Sequence, residues 1–146
     1  MIYTRLTKKA LRIAFDAHKE QVDKTGLPYI FHPFHLAEQM ETEDEVITAL
    51  LHDVIEDSDF SADNLRAEGF PEHIIEAISL LTHDYSVKYD YTDYIQKIKA
   101  NPLAAKIKLA DLRHNSDITR LDVIDDKMAA LQKKYEVAIK LLTEQI

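Results

Sequence analysis

The chain has 146 residues, 46% of them hydrophobic and 30% charged, a balance that supports one packed core, excludes a disordered chain and leaves a second domain cramped. Its formal net charge of −8, from 26 acidic against 18 basic residues, argues against broad binding to a nucleic-acid backbone. The absence of cysteine excludes both a disulfide framework and a thiolate zinc site.

The opening stretch "MIYTRLTKKALRIAF" has no apolar segment of signal-peptide type, and no run approaches the roughly 20 apolar residues of a membrane span. The expectation is a cytoplasmic protein that takes a small-molecule substrate and binds neither nucleic acid nor membrane. Homo-oligomerisation stays open at this level.

Two glycines and four prolines punctuate the chain, and no stretch alternates apolar and polar residues long enough for a strand. The expected fold class is therefore all-α, a single domain over residues 1–146 with about eight helices. Helical periodicity predicts them at residues 4–22, 33–40, 43–56, 62–67, 71–81, 92–100, 102–113 and 125–144. Thr42 with Glu45 forms a capping-box pattern, and Asn101 followed by Pro102 supplies an N-cap with proline at the first helical position. "HDYSVKYDYTDY", residues 83–94, reads as the longest loop. In the last helix Met128, Leu131, Tyr135, Ala138 and Leu142 recur at spacings of three and four, the stripe of a core-packing helix.

The third helix carries the anomaly. "TALLHDVIEDSD" sets His52, Asp53, Glu56 and Asp57 beside Leu50, Leu51, Val54 and Ile55, which is costly unless the charges are neutralised. On a continuous helix His52 lies above Glu56 and Asp53 above Asp57, so the four form one polar stripe. Adjacent His and Asp can reach one cation, but two ligands are too few for a stable site.

Two further residues qualify. His32, in "GLPYIFHPF", is held between a turn and Pro33. Asp111, in "AAKIKLADLRHN", follows Ile107 by four and falls on the apolar face of its helix. Asn115, four residues on, reaches the same pocket if that helix continues. His32, His52, Asp53 and Asp111 offer two nitrogens and two carboxylates from three segments. Such a set suits one six-coordinate divalent ion such as Mn²⁺, Fe²⁺, Co²⁺ or Mg²⁺ better than closed tetrahedral zinc, and leaves positions for water and substrate.

Taken in order, "AHKEQVDKTGLPYIFHP", "ALLHDVIEDSD" and "KIKLADLRHN" resemble the HD-domain metal-dependent phosphohydrolases, and within them the RelA/SpoT-type hydrolase domain. The resemblance implies a helical HD fold with a motif-bearing core at about 5–121 and a C-terminal packing helix at about 125–144. It implies Mn²⁺ held by His32, His52, Asp53 and Asp111, and Glu56 with Asp57 as the acid/base pair that handles the attacking water. The implied reaction removes pyrophosphate from the 3′ position of (p)ppGpp, with Asn115 contacting the nucleotide.

At the family's basic turn stand Lys24 and Thr25, candidates for substrate contact, with Lys108 and Arg113 as further counter-charges for phosphate. His18 and His114 fall inside matched motifs and are candidates for supporting the ligands. His35, His73 and His83 read as surface or structural residues. The chain resembles the stand-alone small alarmone hydrolases, so alarmone synthesis is not expected.

Two departures bear on substrate choice. The family's basic residue that packs on the guanine base is Asp23 here. Beyond the metal aspartate, Leu112 and Ile118 replace an arginine and a threonine, and Arg113 is displaced by one. A phosphohydrolase acting on another nucleotide, such as a nucleoside monophosphate, is therefore the alternative reading. A non-catalytic nucleotide-binding helical module is the third, disfavoured because all four ligands and both acids are present.

Overall fold

The structure, a computed structural model, describes residues 1–84 and 86–144. Among them the chain forms α1 (Arg5–His18), α2 (Phe31–Glu38), α3 (Glu43–Leu51), α4 (Val54–Asp57), α5 (Ala62–Ala67), α6 (Glu72–Leu81), α7 (Tyr91–Lys99), α8 (Pro102–Asn115), a 3₁₀ turn (Ile118–Arg120) and α9 (Asp126–Thr143). The described residues contain no strand, only an isolated antiparallel bridge between Val22 and Pro28. None of their helices is long and apolar enough to cross a membrane.

α3 is the central pillar, packed against α1, α2, α6 and α8. Every residue from Val46 to Leu51 is buried, the pattern of a helix enclosed on all sides. It starts where the sequence predicts: Thr42 Oγ1 accepts from the Glu45 N–H at 3.2 Å. Glu45 reaches one residue further back than a capping box requires, accepting the Glu41 N–H at 3.0 Å, and also binds Lys106 at 2.8 Å. α8 begins as expected, with Asn101 Oδ1 accepting from the Ala104 N–H at 3.1 Å and Pro102 leading the helix.

Two boundaries differ from the periodic reading. α1 ends at His18 rather than residue 22 because the chain turns back through Gly26, whose φ of +85° suits glycine. Asp23 shapes that turn by accepting from the N–H groups of Thr25 (2.8 Å) and Leu27 (3.2 Å). The helix predicted over 43–56 breaks between α3 and α4: Asp53 leaves helical geometry at φ −110°, ψ 1°. His52 Nδ1 lies 2.7 Å from the Ala49 carbonyl, the acceptor that residue 53 would use in an unbroken helix.

Replacing the fully buried Ile47 by alanine should destabilise the fold by about 2–5 kcal/mol. Val137→Ala, at a side chain 59% exposed, should stay within about 0.5 kcal/mol. Urea unfolding followed by circular dichroism measures both.

Candidate metal centre

Three helical segments converge on one point. α2 delivers His32 from its first turn, the α3–α4 break delivers His52 and Asp53, and α8 delivers Asp111. His32 and His52 are each 2% exposed and Asp111 7%. One ligand atom from each of His32, His52 and Asp53 lies within 4.8 Å of the others. Asp111 Oδ1 is 2.8 Å from His32 Nε2 and 3.7 Å from His52 Nε2, while Asp53 Oδ2 is 3.0 Å from His52 Nε2.

The surroundings fix how each side chain faces inward. His52 Nδ1 donates to the Ala49 carbonyl, so Nε2 is the ring atom that faces the cluster, 3.0 Å from Asp53 Oδ2 and 3.7 Å from Asp111 Oδ1 but in hydrogen-bond alignment with none of the described residues. A buried ring nitrogen this close to two carboxylates fits a shared cation, and without one burial is overridden by the carboxylates, which hold a proton on His52 and raise it well above its usual value. The nitrogen and oxygen donors suit a first-row divalent ion.

His32 Nδ1 lies 2.7 Å from His114 Nδ1, the rings stacked at 5.0 Å and 6°. His114 accepts only as a neutral imidazole. Burial, followed by the charge of His32, takes it down to about 4. The Tyr29 hydroxyl donates to Asp53 Oδ2, and burial with Asp53 pushes that phenol well above its usual range.

The carboxylates remain charged. Burial works to raise Asp53, but the adjoining His52 overrides it and takes the carboxyl to about 2. For Asp111 burial is likewise overridden, foremost by Lys108, whose Nζ sits 3.0 Å from Oδ2 and holds it well below the carboxylate range. Asn115 Nδ2 donates to Asp111 Oδ1 at 3.0 Å, so α8 continues far enough to bring Asn115 into the site, as the spacing predicts.

A polar cavity of about 310 Å³ opens onto the cluster, walled by Tyr29, Asp53, Glu56, Lys108, Asp111 and Asn115. Its other side is built from Leu81, His83, Tyr91, Tyr94, Leu131, Lys134 and Tyr135. Glu56 Oε1 accepts the His83 backbone N–H at 2.6 Å. Burial pushes Glu56 upward against that hydrogen bond, with Asp53 and Asp57 adding to the rise. Burial and then Asp53 also raise Asp57.

Several expected placements change. The polar stripe over 52–57 is not continuous, because the break at Asp53 separates the metal pair from the acidic pair. Glu56 faces the cavity, whereas Asp57 is not among its described lining residues and bonds Gln21 at 3.3 Å. Lys24 Nζ donates to the Asn115 carbonyl at 2.7 Å and lies 5.1 Å from the Tyr135 ring centroid. Thr25 instead gives its hydroxyl to Asp23 Oδ1 at 2.5 Å, serving the turn. Arg113 is exposed beside Gln39, Met40 and Lys106, on another face.

His83, expected at the surface or in a structural role, lines the cavity. His35 is exposed with its ring 4.2 Å from that of His114, and His73 pairs with Asp44 at 2.7 Å on the surface. Tyr85, inside the expected loop, lies outside the described residues. Asp23 is ion-paired with Arg120 at 3.1 Å, its side chain 8% exposed. Tyr29, Gln21, Tyr91, Tyr94 and Lys134 were not singled out from the sequence, although Tyr29 and Gln21 lie within the matched motif. Leu131 and Tyr135 of the α9 stripe serve the cavity wall as well as packing.

An all-helical scaffold that sets an adjacent His–Asp pair against a second histidine and a second aspartate defines an HD-type domain. No family model matches the chain. A guanosine-3′,5′-bis(diphosphate) 3′-pyrophosphohydrolase of Aquifex aeolicus is 32% identical over 118 residues, 74% of this chain and 17% of that protein. A protein of the same name from Haemophilus influenzae is 34% identical over 115 residues, 70% of this chain and 17% of its own length. The chain thus spans about a sixth of these relatives. A solved structure of a metazoan ortholog of SpoT, described as hydrolysing ppGpp, matches with a TM-score of 0.80 over 98% of this chain and 88% of that one, at 21% identity, and so shares the fold. The chain belongs to the RelA/SpoT type of HD hydrolase domain.

His52→Ala and Asp53→Ala should each abolish metal retention, and Glu56→Ala should leave it intact, as read by elemental analysis of protein purified in the presence of Mn²⁺. In the metal-free protein His114 should stay neutral down to about pH 4. Because the unfolded imidazole protonates near 6.5, its contribution to stability is present above that value and is lost as pH falls towards about 4. Histidine NMR titration reads the first, and urea unfolding of wild type against His114→Gln across that window reads the second.

Proposed function

We propose that the chain is a metal-dependent phosphohydrolase that removes pyrophosphate from the 3′ position of guanosine 3′,5′-bis(diphosphate). The observation that carries this reading is the polar cavity opening on the His32, His52, Asp53 and Asp111 cluster with Glu56 in its wall. The names of the relatives support the substrate. His32, His52, Asp53 and Asp111 would hold the ion, Mn²⁺ in this reading. When bound, a divalent ion supplies Lewis acidity, lowering the pKa of water from about 15.7 towards about 7 and offsetting charge on phosphoryl oxygens.

The chain's own residues do the rest. Water forms the new bond to the phosphorus of the 3′-diphosphate, the bond from phosphorus to the ribose 3′ oxygen breaks, and a proton reaches that oxygen. Glu56 and Asp57, raised by burial and by Asp53, have the affinity for protons that such transfers need. Lys134, with Lys24 at the Asn115 edge and Lys108 where it pairs with Asp111, would place positive charge beside the anionic substrate in a chain otherwise short of it. The tyrosine faces of the cavity suit a nucleotide base.

One observation favours a second reading, the same chemistry on another nucleotide. At the position where the family packs a cation on guanine, Asp23 neutralises Arg120. A panel of nucleotides incubated with Mn²⁺ separates the two. Pyrophosphate released from ppGpp is the expected result, whereas orthophosphate released from nucleoside monophosphates with ppGpp untouched selects the second reading. Glu56→Ala should lower kcat on the turned-over substrate by about 100-fold or more.

A further inference from the structure

His18 is a buried titratable group that neither the ligand set nor the cavity uses. It closes α1, 1% exposed, with its ring 4.8 Å from that of Tyr29. His18 Nδ1 lies 2.9 Å from Gln21 Oε1, and Gln21 Nε2 donates to Asp57 Oδ2 at 3.3 Å. The backbone holds Gln21 from both sides: its N–H donates to the His18 carbonyl and its carbonyl accepts the Tyr29 N–H, each at 2.9 Å.

The directions of these bonds are interlocked. An ionised carboxylate only accepts, so the Gln21 amide turns its NH₂ to Asp57 and its oxygen to His18. Oxygen facing His18 requires a proton on Nδ1, which in the neutral imidazole leaves Nε2 as a bare lone pair. Nε2 is the ring atom that is buried without a hydrogen-bond partner among the described residues. The reversed string, with Asp57 donating, the amide flipped and the His18 proton on Nε2, would strand an N–H in that spot, and orphaned buried N–H groups are rarer than under-used acceptors.

We propose that Gln21, backed by His18, is a positioning residue that holds the Asp57 carboxylate as an acceptor in one orientation. The proposal rests on the hydrolase reading for its kinetic consequence and on geometry alone for the hydrogen-bond string. Asp57 stands outside the cavity lining, at the end of the one-turn helix α4, so a string anchored in α1 supplies a constraint that α4 does not provide.

The test combines the two. Long-range ¹H–¹⁵N NMR of the protein loaded with diamagnetic Mg²⁺ in place of paramagnetic Mn²⁺ should find His18 as the Nδ1–H tautomer, and both Gln21→Leu and Asp57→Ala should bring in the Nε2–H form. On whichever nucleotide the wild type hydrolyses, Gln21→Leu should lower kcat by about 10-fold while KM stays within about twofold and metal content is unchanged. An Nε2–H tautomer in the wild type, an unchanged tautomer in either variant, or an unchanged kcat in Gln21→Leu overturns the proposal. If the wild type hydrolyses no nucleotide of the panel, the hydrolase reading fails, and the tautomers still decide whether the string exists.

Discussion

Two carboxylates and two imidazoles meet within a few ångströms in the middle of a helical core, and the rest of the structure is organised around making that tolerable. A buried charge is stable only when it is paired or bound to a metal. Asp111 has Lys108 at 3.0 Å and the Asn115 amide, and Asp53 has the Tyr29 hydroxyl and His52. These partners occupy most of the oxygen lone pairs, and His52 Nε2, facing Asp53 and Asp111, marks the point where a cation would be shared by both carboxylates. The enclosed pillar α3 gives the cluster a rigid back wall.

Each candidate ligand is also fixed from its far side. His52 is tied to Ala49, His32 to His114, and Asp111 to Lys108 and Asn115. Outer contacts of this kind set imidazole tautomer and carboxylate orientation, and their loss commonly weakens metal binding 10–100-fold. A second fastening joins the Gly26 turn to the end of α8. Arg120 bonds both Asp23 and the His114 carbonyl, at 3.1 and 2.8 Å, while Lys24 reaches the Asn115 carbonyl. The turn ahead of Tyr29 and His32 therefore moves with the helix that carries Asp111.

What the sequence revealed and what it concealed divide along one physical line. Helix existence followed from period and capping, which are local, so α5, α6, α7, α8 and α9 lie close to where periodicity set them and α3 starts at its predicted cap. His32, His52, Asp53 and Asp111 were legible because a charged residue on an apolar face is anomalous within its own segment. The break at Asp53 was not legible, since propensity alone runs the helix on through residue 56, and the imidazole that claims the Ala49 carbonyl is oriented by the cluster it faces. Nor was the place of His83 or Tyr135, whose value depends on where a loop and a distant helix come to rest. Thr25 shows the opposite case. Its hydroxyl has a local partner in Asp23, and a side chain satisfied within its own turn is withdrawn from the cavity.

The same division bears on substrate choice. The groups that would run the chemistry lie in short motifs and converge through the tightly packed α2, α3 and α8. The remaining side chains of the cavity wall come from α7, α9 and the segment between α6 and α7, where side chains are more exposed. Asp23, at the position where the family packs a cation on guanine, is not among them. An acid at that point would repel a polyanionic nucleotide, yet Arg120, 97 residues on, cancels its charge and is itself occupied. With neither a net repulsion nor an uncommitted cation there, and with Lys108 itself paired with Asp111, base selection in the proposed reading would fall to the tyrosine-lined wall and phosphate attraction to Lys134. The metal cluster can thus be retained intact while the preference for the base is set elsewhere in the fold.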